Sequence, residues 1–86
     1  MIVDRRAIAR KLSAYLRHET TLAELADWAE LAMMDGEFAD ADLPVVRDVV
    51  SRLGLADVRA FGLLWEDCEA MIRQLGFTVR LRVVPA

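Results

Sequence analysis

Apolar residues recur at helical spacing along most of this chain, and glycines interrupt the pattern at Gly36, Gly54 and Gly76. Spacings of three and four residues place side chains on one face of an α-helix, and glycine is common just after a helix ends. The pattern predicts a mainly α-helical protein, a compact bundle of about four helices with a minor β component. At 86 residues the chain suits a single domain, so we expect residues 1–86 to share one hydrophobic core.

The first predicted helix covers about residues 5–18, with Asp4 positioned as its N-terminal cap. Its apolar side chains share one face, and its arginines lie on the opposite face. His18, the only histidine, is expected at the C-terminal end, where a partly protonated imidazole complements the helix dipole. Beside Glu19 it lacks the convergent partners of a catalytic site, so we interpret His18 as structural.

The second predicted helix begins at Leu22, because Thr21 and Glu24 have the spacing of a capping box. It is expected to end near Asp35, with Gly36 in the left-handed conformation that glycine adopts readily. The predicted apolar stripe consists of Leu22, Leu25, Ala29, Ala32 and Met33, with Trp28 beside it.

Two further helices are predicted in the second half of the chain. One has Asp42 as its cap and Pro44 in its first turn, and it ends at Gly54. Its valines would also suit a buried strand, but the intervening polar residues give a period of 3.6. The other covers about residues 65–75, has an acidic first turn and ends at Gly76. Its predicted apolar face consists of Leu64, Cys68, Met71, Ile72 and Leu75.

A short C-terminal strand is predicted over residues 77–83, where apolar and polar residues alternate. A strand needs a partner for its backbone hydrogen bonds. We favour parallel pairing with residues 58–63, although residues 57–63 also fit a helical turn. The alternatives are pairing with Ile2 and Val3, or with the same strand of a second chain.

No motif of enzyme chemistry is present, so we predict a protein without catalytic residues, cofactor or bound metal. Cys68 is the only cysteine, and its acidic neighbours Glu66 and Asp67 disfavour a reactive thiolate, which indicates a thiol packed in the core. Residues 35–42 are acidic, but an aspartate takes the place of the glycine that a calcium loop requires at its sixth position.

Charge is distributed unevenly along the chain. Residues 1–18 contain five basic residues and one acidic residue, whereas residues 19–42 contain eight acidic residues and no basic one. Such a charge run is usually a solvated face, but here it includes two aromatic residues, a combination typical of protein interfaces. The predicted partner-binding residues are Glu24, Asp27, Trp28, Glu30, Asp35, Glu37, Phe38, Asp40 and Asp42.

We predict no binding of nucleic acid, for two reasons. The arginines of the first helix are expected to form an ion-pair seam with the acidic second helix, and no aromatic residues are interleaved with them.

No apolar run approaches the length of a membrane span, and Asp4, Arg5 and Arg6 interrupt the N-terminal segment where a signal peptide would be apolar. We therefore expect a cytoplasmic protein that does not bind membranes.

The run from Leu12 to Leu22, followed by an acidic helix that carries Trp28, resembles small bacterial helical proteins, among them the colicin-type immunity proteins. The resemblance covers the first half of the chain. It implies an inhibitor that blocks a basic nuclease toxin with carboxylates that mimic phosphates, and it transfers no catalytic residue.

Two functions therefore follow from the sequence. The first is a protein-binding module, an acidic inhibitor or immunity-like protein that docks a basic partner. The alternative is a small structural or regulatory protein that assembles as a homodimer, because 56% of its residues are apolar, a high share for so short a chain.

Overall fold

A computed structural model of the chain describes residues 2–38, 43–56, 63–80 and 82–85. Within these ranges the chain forms four α-helices and a small parallel sheet. In chain order, the elements are β1 (Ile2–Val3), α1 (Arg5–Leu16), α2 (Leu22–Asp35), β2 (Glu37–Phe38), α3 (Leu43–Leu53) and α4 (Trp65–Gln74). The predicted class, mainly α-helical with a minor β component, is confirmed.

Side-chain caps determine where α1 and α2 begin. The Asp4 carboxylate accepts a hydrogen bond of 2.8 Å from the backbone N–H of Ala7. Thr21 and Glu24 form the predicted capping box: each side chain accepts a hydrogen bond from the other's backbone N–H, at 3.1 and 3.0 Å. Both caps are interactions across three residues, so the sequence alone predicts them correctly.

The first helix ends two residues earlier than predicted, at Leu16. His18 lies outside it in the left-handed conformation, with a φ of +62°. The N–H of Glu19 donates to the carbonyl of Ala14 at 2.8 Å, and the N–H of His18 donates to that of Tyr15 at 3.1 Å. These two bonds make a Schellman turn, so His18 occupies the position that glycine usually takes.

Gly36 follows α2 as predicted, but not in the left-handed conformation, since its φ is −76° and its ψ is 147°. Glycine is required at this position because neighbouring atoms leave no room for a Cβ atom. A Cβ atom at this position would overlap the carbonyl oxygen of Ala32 and lie 2.6 Å from Cγ2 of Val3. The absence of a side chain therefore lets β1 pass close to the end of α2.

The sheet differs from the prediction in its strands. β1 and β2 pair in parallel, with Ile2 opposite Glu37 and Val3 opposite Phe38. The acidic stretch of residues 35–42, where no strand is predicted, therefore contributes β2, and the N-terminal residues pair with it rather than with the C-terminal segment.

The predicted C-terminal strand over residues 77–83 is wrong for its described part, because residues 77–80 and 82–85 have no strand partner. Val79 packs against the core, but Val83 is 88% exposed, so the core does not bury the apolar face that the alternation suggested. Of residues 58–63, the favoured partner, residues 58–62 lie outside the described residues, and Leu63 is not in a strand. Asp42, the predicted cap of the third helix, also lies outside the described residues.

The core lies where the four helices meet. Alanines of α2 allow α3 to pack closely, and these two helices form the most extensive helix pair. Two predicted core residues are wrong, because Met33 is 47% exposed and Leu64, the N-cap of α4, is 67% exposed. The buried side chains of the helices are Ile8, Leu12, Leu25, Ala26, Ala29, Ala32, Val46, Val49, Val50, Leu53, Cys68, Met71 and Ile72.

Gly76 ends α4 as predicted, with a φ of +92°. Its N–H donates to the carbonyl of Arg73 at 2.9 Å, and the N–H of Phe77 donates to that of Ile72 at 3.0 Å, which makes a second Schellman turn. The turn sends the C-terminal segment back along α1. Within the described ranges, no helix has the length and apolar character needed to cross a membrane.

Candidate functional site

The acidic residues predicted as a docking site lie mainly on the outward side of α2. Leu25, Ala26, Ala29 and Ala32 turn toward the core, so the remaining arc of the helix faces solvent. We call this surface the acidic face and define it by its acidic residues, all of which are exposed. They are Glu24, Asp27, Glu30 and Asp35 on α2, and Glu37 on β2.

No ion pair between described residues neutralises a carboxylate of the acidic face. Between described residues, the ion pairs join Arg17 to Glu19, Arg52 to Asp67 and Arg73 to Glu69, none of which belongs to this surface. The acidic face therefore presents its charge to solvent.

One member of the acidic face also has a structural role. The backbone N–H of Thr21 lowers the pKa of Glu24, with smaller contributions from the Thr21 hydroxyl and from the positive charge of Lys11. Glu24 is consequently ionised at neutral pH, while its carboxylate caps α2.

The predicted ion-pair seam between α1 and α2 is not formed between described residues. Lys11 of α1 instead places its ammonium 5.4 Å from the ring centroid of Trp28, within the range of a cation–π interaction. Among the described residues, no acid of α2 forms an ion pair with Arg6 or Arg10 of α1.

The two predicted aromatic anchors are half-buried and pack against the core. Each lies beside a cation of this chain: Trp28 beside Lys11, and Phe38 with its ring centroid 5.9 Å from the guanidinium of Arg47. They support the edge of the acidic face and do not project from it. The predicted docking residues Asp40 and Asp42 lie outside the described residues.

Two apolar residues that the sequence-based prediction did not include lie within the acidic face. Leu31 is 51% exposed and Met34 is 80% exposed. Both follow Asp27 at helical spacing, four and seven residues later, and therefore lie on the same side of α2. The sequence alone could have predicted that these two residues are exposed, because neither falls on the predicted apolar stripe of α2.

The only cysteine and the only histidine lie in different environments. Cys68 is buried in the core, and burial, with a smaller effect of Asp67, raises the pKa of its thiol to about 11. At neutral pH it is therefore a protonated core thiol, as predicted. His18 is exposed, and no group of three metal-ligating side chains is found among the described residues.

No protein-family model, curated protein sequence or solved structure matches this chain. The resemblance to immunity proteins stays a prediction, and the proposals below depend on the chain's own geometry.

Proposed function

We propose that this chain is a cytoplasmic protein-binding module that docks a basic partner through its acidic face, as an inhibitor or immunity-like protein would. The observation that carries the proposal is the exposure of Met34, which is 80% accessible on the same side of α2 as Asp27 and Glu30, whose carboxylates form no ion pair with a described residue. The acidic residues and the two apolar side chains together define the docking surface.

The two kinds of side chain contribute different parts of such an interaction. Carboxylates attract a basic partner over a distance and accelerate association, but exposed charge pairs add little affinity. Apolar side chains at the centre of an interface supply affinity when the partner covers them, and methionine adapts to the shape it meets. Leu31 and Met34 supply this apolar centre within a ring of charge.

A nuclease is a suitable partner in chemical terms. Enzymes that bind nucleic acid present lysine and arginine to phosphate groups, and a row of carboxylates on a rigid helix satisfies the same side chains. On α2, Asp27 and Glu30 lie three residues apart, on neighbouring turns of one helix face. The proposal is thus an inhibitor that occupies the site of the nucleic acid.

A second copy of the chain is the competing occupant of the acidic face. The arginines of α1 supply the complementary charge, and the exposed apolar residues would be covered in a homodimer. Sedimentation at micromolar concentration, at low and at high salt, separates the two cases. A monomer under both conditions would exclude the homodimer. A dimer that Met34→Ser abolishes would exclude the foreign partner.

The proposal is tested by capture from a cell lysate with three immobilised baits. One is the natural chain, one carries Asp27→Lys and Glu30→Lys, and the matched control carries Asp48→Lys and Glu66→Lys elsewhere on the surface. The two variants have the same net charge. We expect the natural chain and the control to retain a basic protein that is released by about 0.5 M salt, and the acidic-face variant to lose it.

A second pair of variants tests the apolar centre. Met34→Ser should weaken binding of the captured protein, whereas Leu55→Ser, at a residue 49% exposed beyond the acidic face, should leave it unchanged. Thermal unfolding of each bait confirms that it is folded. Equal capture by both charge-reversed baits would contradict the proposal.

A further inference from the structure

The structure also contains a basic groove, on the flank of α1 that faces away from α2. Its walls are α1 and the C-terminal segment, with Trp65 and Ile72 of α4 between them, and its volume is about 630 Å³. Five arginines line it, and no acidic residue does so among the described residues. They are Arg6, Arg10, Arg17, Arg80 and Arg82. We call this feature the arginine groove.

Helix geometry accounts for one wall of the groove. Arg6, Arg10, Ser13 and Arg17 follow one another at spacings of four, three and four residues, which keeps them on one side of α1. From Arg6 to Arg17 this row extends about 16 Å along the helix axis. The Schellman turn at Gly76 then brings the arginines of the C-terminal segment to the opposite wall.

Four of these arginines have no partner among the described residues. Arg17 pairs with Glu19 at 3.1 Å, at the surface, whereas the other four guanidinium groups make neither an ion pair nor a hydrogen bond with a described residue. Like charges repel one another, so gathering exposed arginines in one groove without acids in its described lining is unfavourable at low ionic strength, and a bound anion would relieve the repulsion. A ligand with several negative charges in a row would complement the arginines best.

Aromatic side chains lie beside these charges. Trp65 is 40% exposed and Phe77 is 38% exposed, and both line the groove. A second hollow, of about 470 Å³, shares Leu16 and Trp65 with the groove and continues past Tyr15. Its lining also includes His18, Thr20 and Thr21, whose polar groups suit the edges of nucleobases.

We propose that the arginine groove binds single-stranded nucleic acid, with the phosphate backbone along the arginines and a base stacked on Trp65. A positively charged groove with aromatic platforms is the usual means of holding a single strand without reading its sequence. Two neighbouring hollows that share Leu16 and Trp65 favour a chain-like ligand over a single small anion. An acidic peptide would use the charges but has no need of the exposed ring.

This inference goes beyond the proposed docking function and uses a different surface. The prediction that nucleic acid does not bind depended on an ion-pair seam and on an absence of aromatic residues beside the arginines. Between described residues the seam is not formed, and the fold brings Trp65 and Phe77 to the arginines from distant parts of the sequence.

Binding is measured by the fluorescence anisotropy of labelled uridine and thymidine oligomers of about 12 nucleotides, at several salt concentrations. We expect affinity to fall steeply with salt. Arg10→Gln and Arg80→Gln should each weaken binding and reduce the slope of log affinity against log salt by about 0.7. Arg47→Gln removes the same charge from α3, outside the groove, and should change neither quantity.

The stacking contact has its own test. Trp65→Leu should weaken binding by about five- to a hundredfold, and Trp65→Tyr, which keeps an aromatic ring, should restore most of it. Circular dichroism confirms folding of the variants.

Failure of both oligomers to bind, or equal effects of Arg10→Gln and Arg47→Gln, would overturn the proposal. Polyglutamate binding that Trp65→Leu leaves unchanged, with no oligomer binding, would identify an acidic peptide as the ligand instead.

Discussion

His18 holds a backbone conformation that costs a residue with a side chain about 1–2 kcal/mol. It does so because the turn after α1 requires a left-handed residue, and histidine tolerates that conformation better than most residues do. The imidazole is exposed and makes no hydrogen bond to a described residue, so no such contact offsets the conformational cost. Strain of this kind is frequent at functional sites, and His18 lines the hollow next to the arginine groove.

We therefore expect His18→Gly to raise the free energy of unfolding by about 0.5–1 kcal/mol, because glycine adopts a positive φ without steric cost. His18→Ala is the control, since alanine removes the imidazole but keeps the strain, and it should give no stabilisation. Urea unfolding of the three proteins measures the difference. Equal stabilisation by glycine and alanine would assign the effect to the imidazole and contradict the backbone explanation.

At the scale of elements, what the sequence predicts correctly depends on local interactions. The start of α2 at Leu22 and its end at Asp35 follow from a capping box and a glycine within the same stretch. The partner of β1 does not follow in this way, because pairing with β2 depends on packing between residues far apart in sequence. The C-terminal alternation was misleading for the same reason, since alternation forms a strand only where a partner and a core are available.

The junction of α2 with the sheet gives a prediction at this scale. Gly36→Ala should lower the free energy of unfolding by about 1–3 kcal/mol, because the added methyl group overlaps the Ala32 carbonyl and crowds Val3. Gly54→Ala is the control: its nearest neighbours would lie at 3.6 Å and beyond, in ordinary contact, so it should leave stability unchanged or slightly increased. Thermal unfolding compares the two. Similar losses at both positions would show that backbone freedom, and not space, makes glycine necessary at residue 36.

Across the whole molecule, charges of opposite sign lie on two separate surfaces. The acidic face lies on the outward side of α2, whereas Arg6 and Arg10 lie on the flank of α1 that forms the arginine groove. The sequence alone shows the uneven distribution of charge, because basic residues are concentrated in residues 1–18 and acidic residues in residues 19–42. It does not reveal the groove, because the arginines beyond Gly76 reach it only through a turn and a packing arrangement that no local pattern specifies. The exposure of Leu31 and Met34 could be predicted only in part from the sequence: it follows from the helical period once the buried stripe of α2 is known.

This separation determines how salt acts on stability. Among the described residues, no ion pair includes a carboxylate of the acidic face, and Arg17 is the only groove arginine that forms one, so repulsion between like charges should dominate at low ionic strength. Raising salt from about 20 mM to about 200 mM shortens the Debye length and should increase the melting temperature by about 2–6 °C, a change typical of 0.5–1 kcal/mol in a domain of this size.

Arg10→Gln provides the internal comparison for this prediction. Removing one of the repelling charges should raise the melting temperature at low salt and reduce its dependence on salt, because less repulsion is left to screen. Arg73→Gln, which breaks the surface pair with Glu69, should do neither, since its guanidinium already has a partner at 3.5 Å. A melting temperature that falls as salt is added would have the opposite meaning. Attraction between α1 and α2 would then dominate, as the predicted ion-pair seam required, and the arginines would not be available to bind a polyanion.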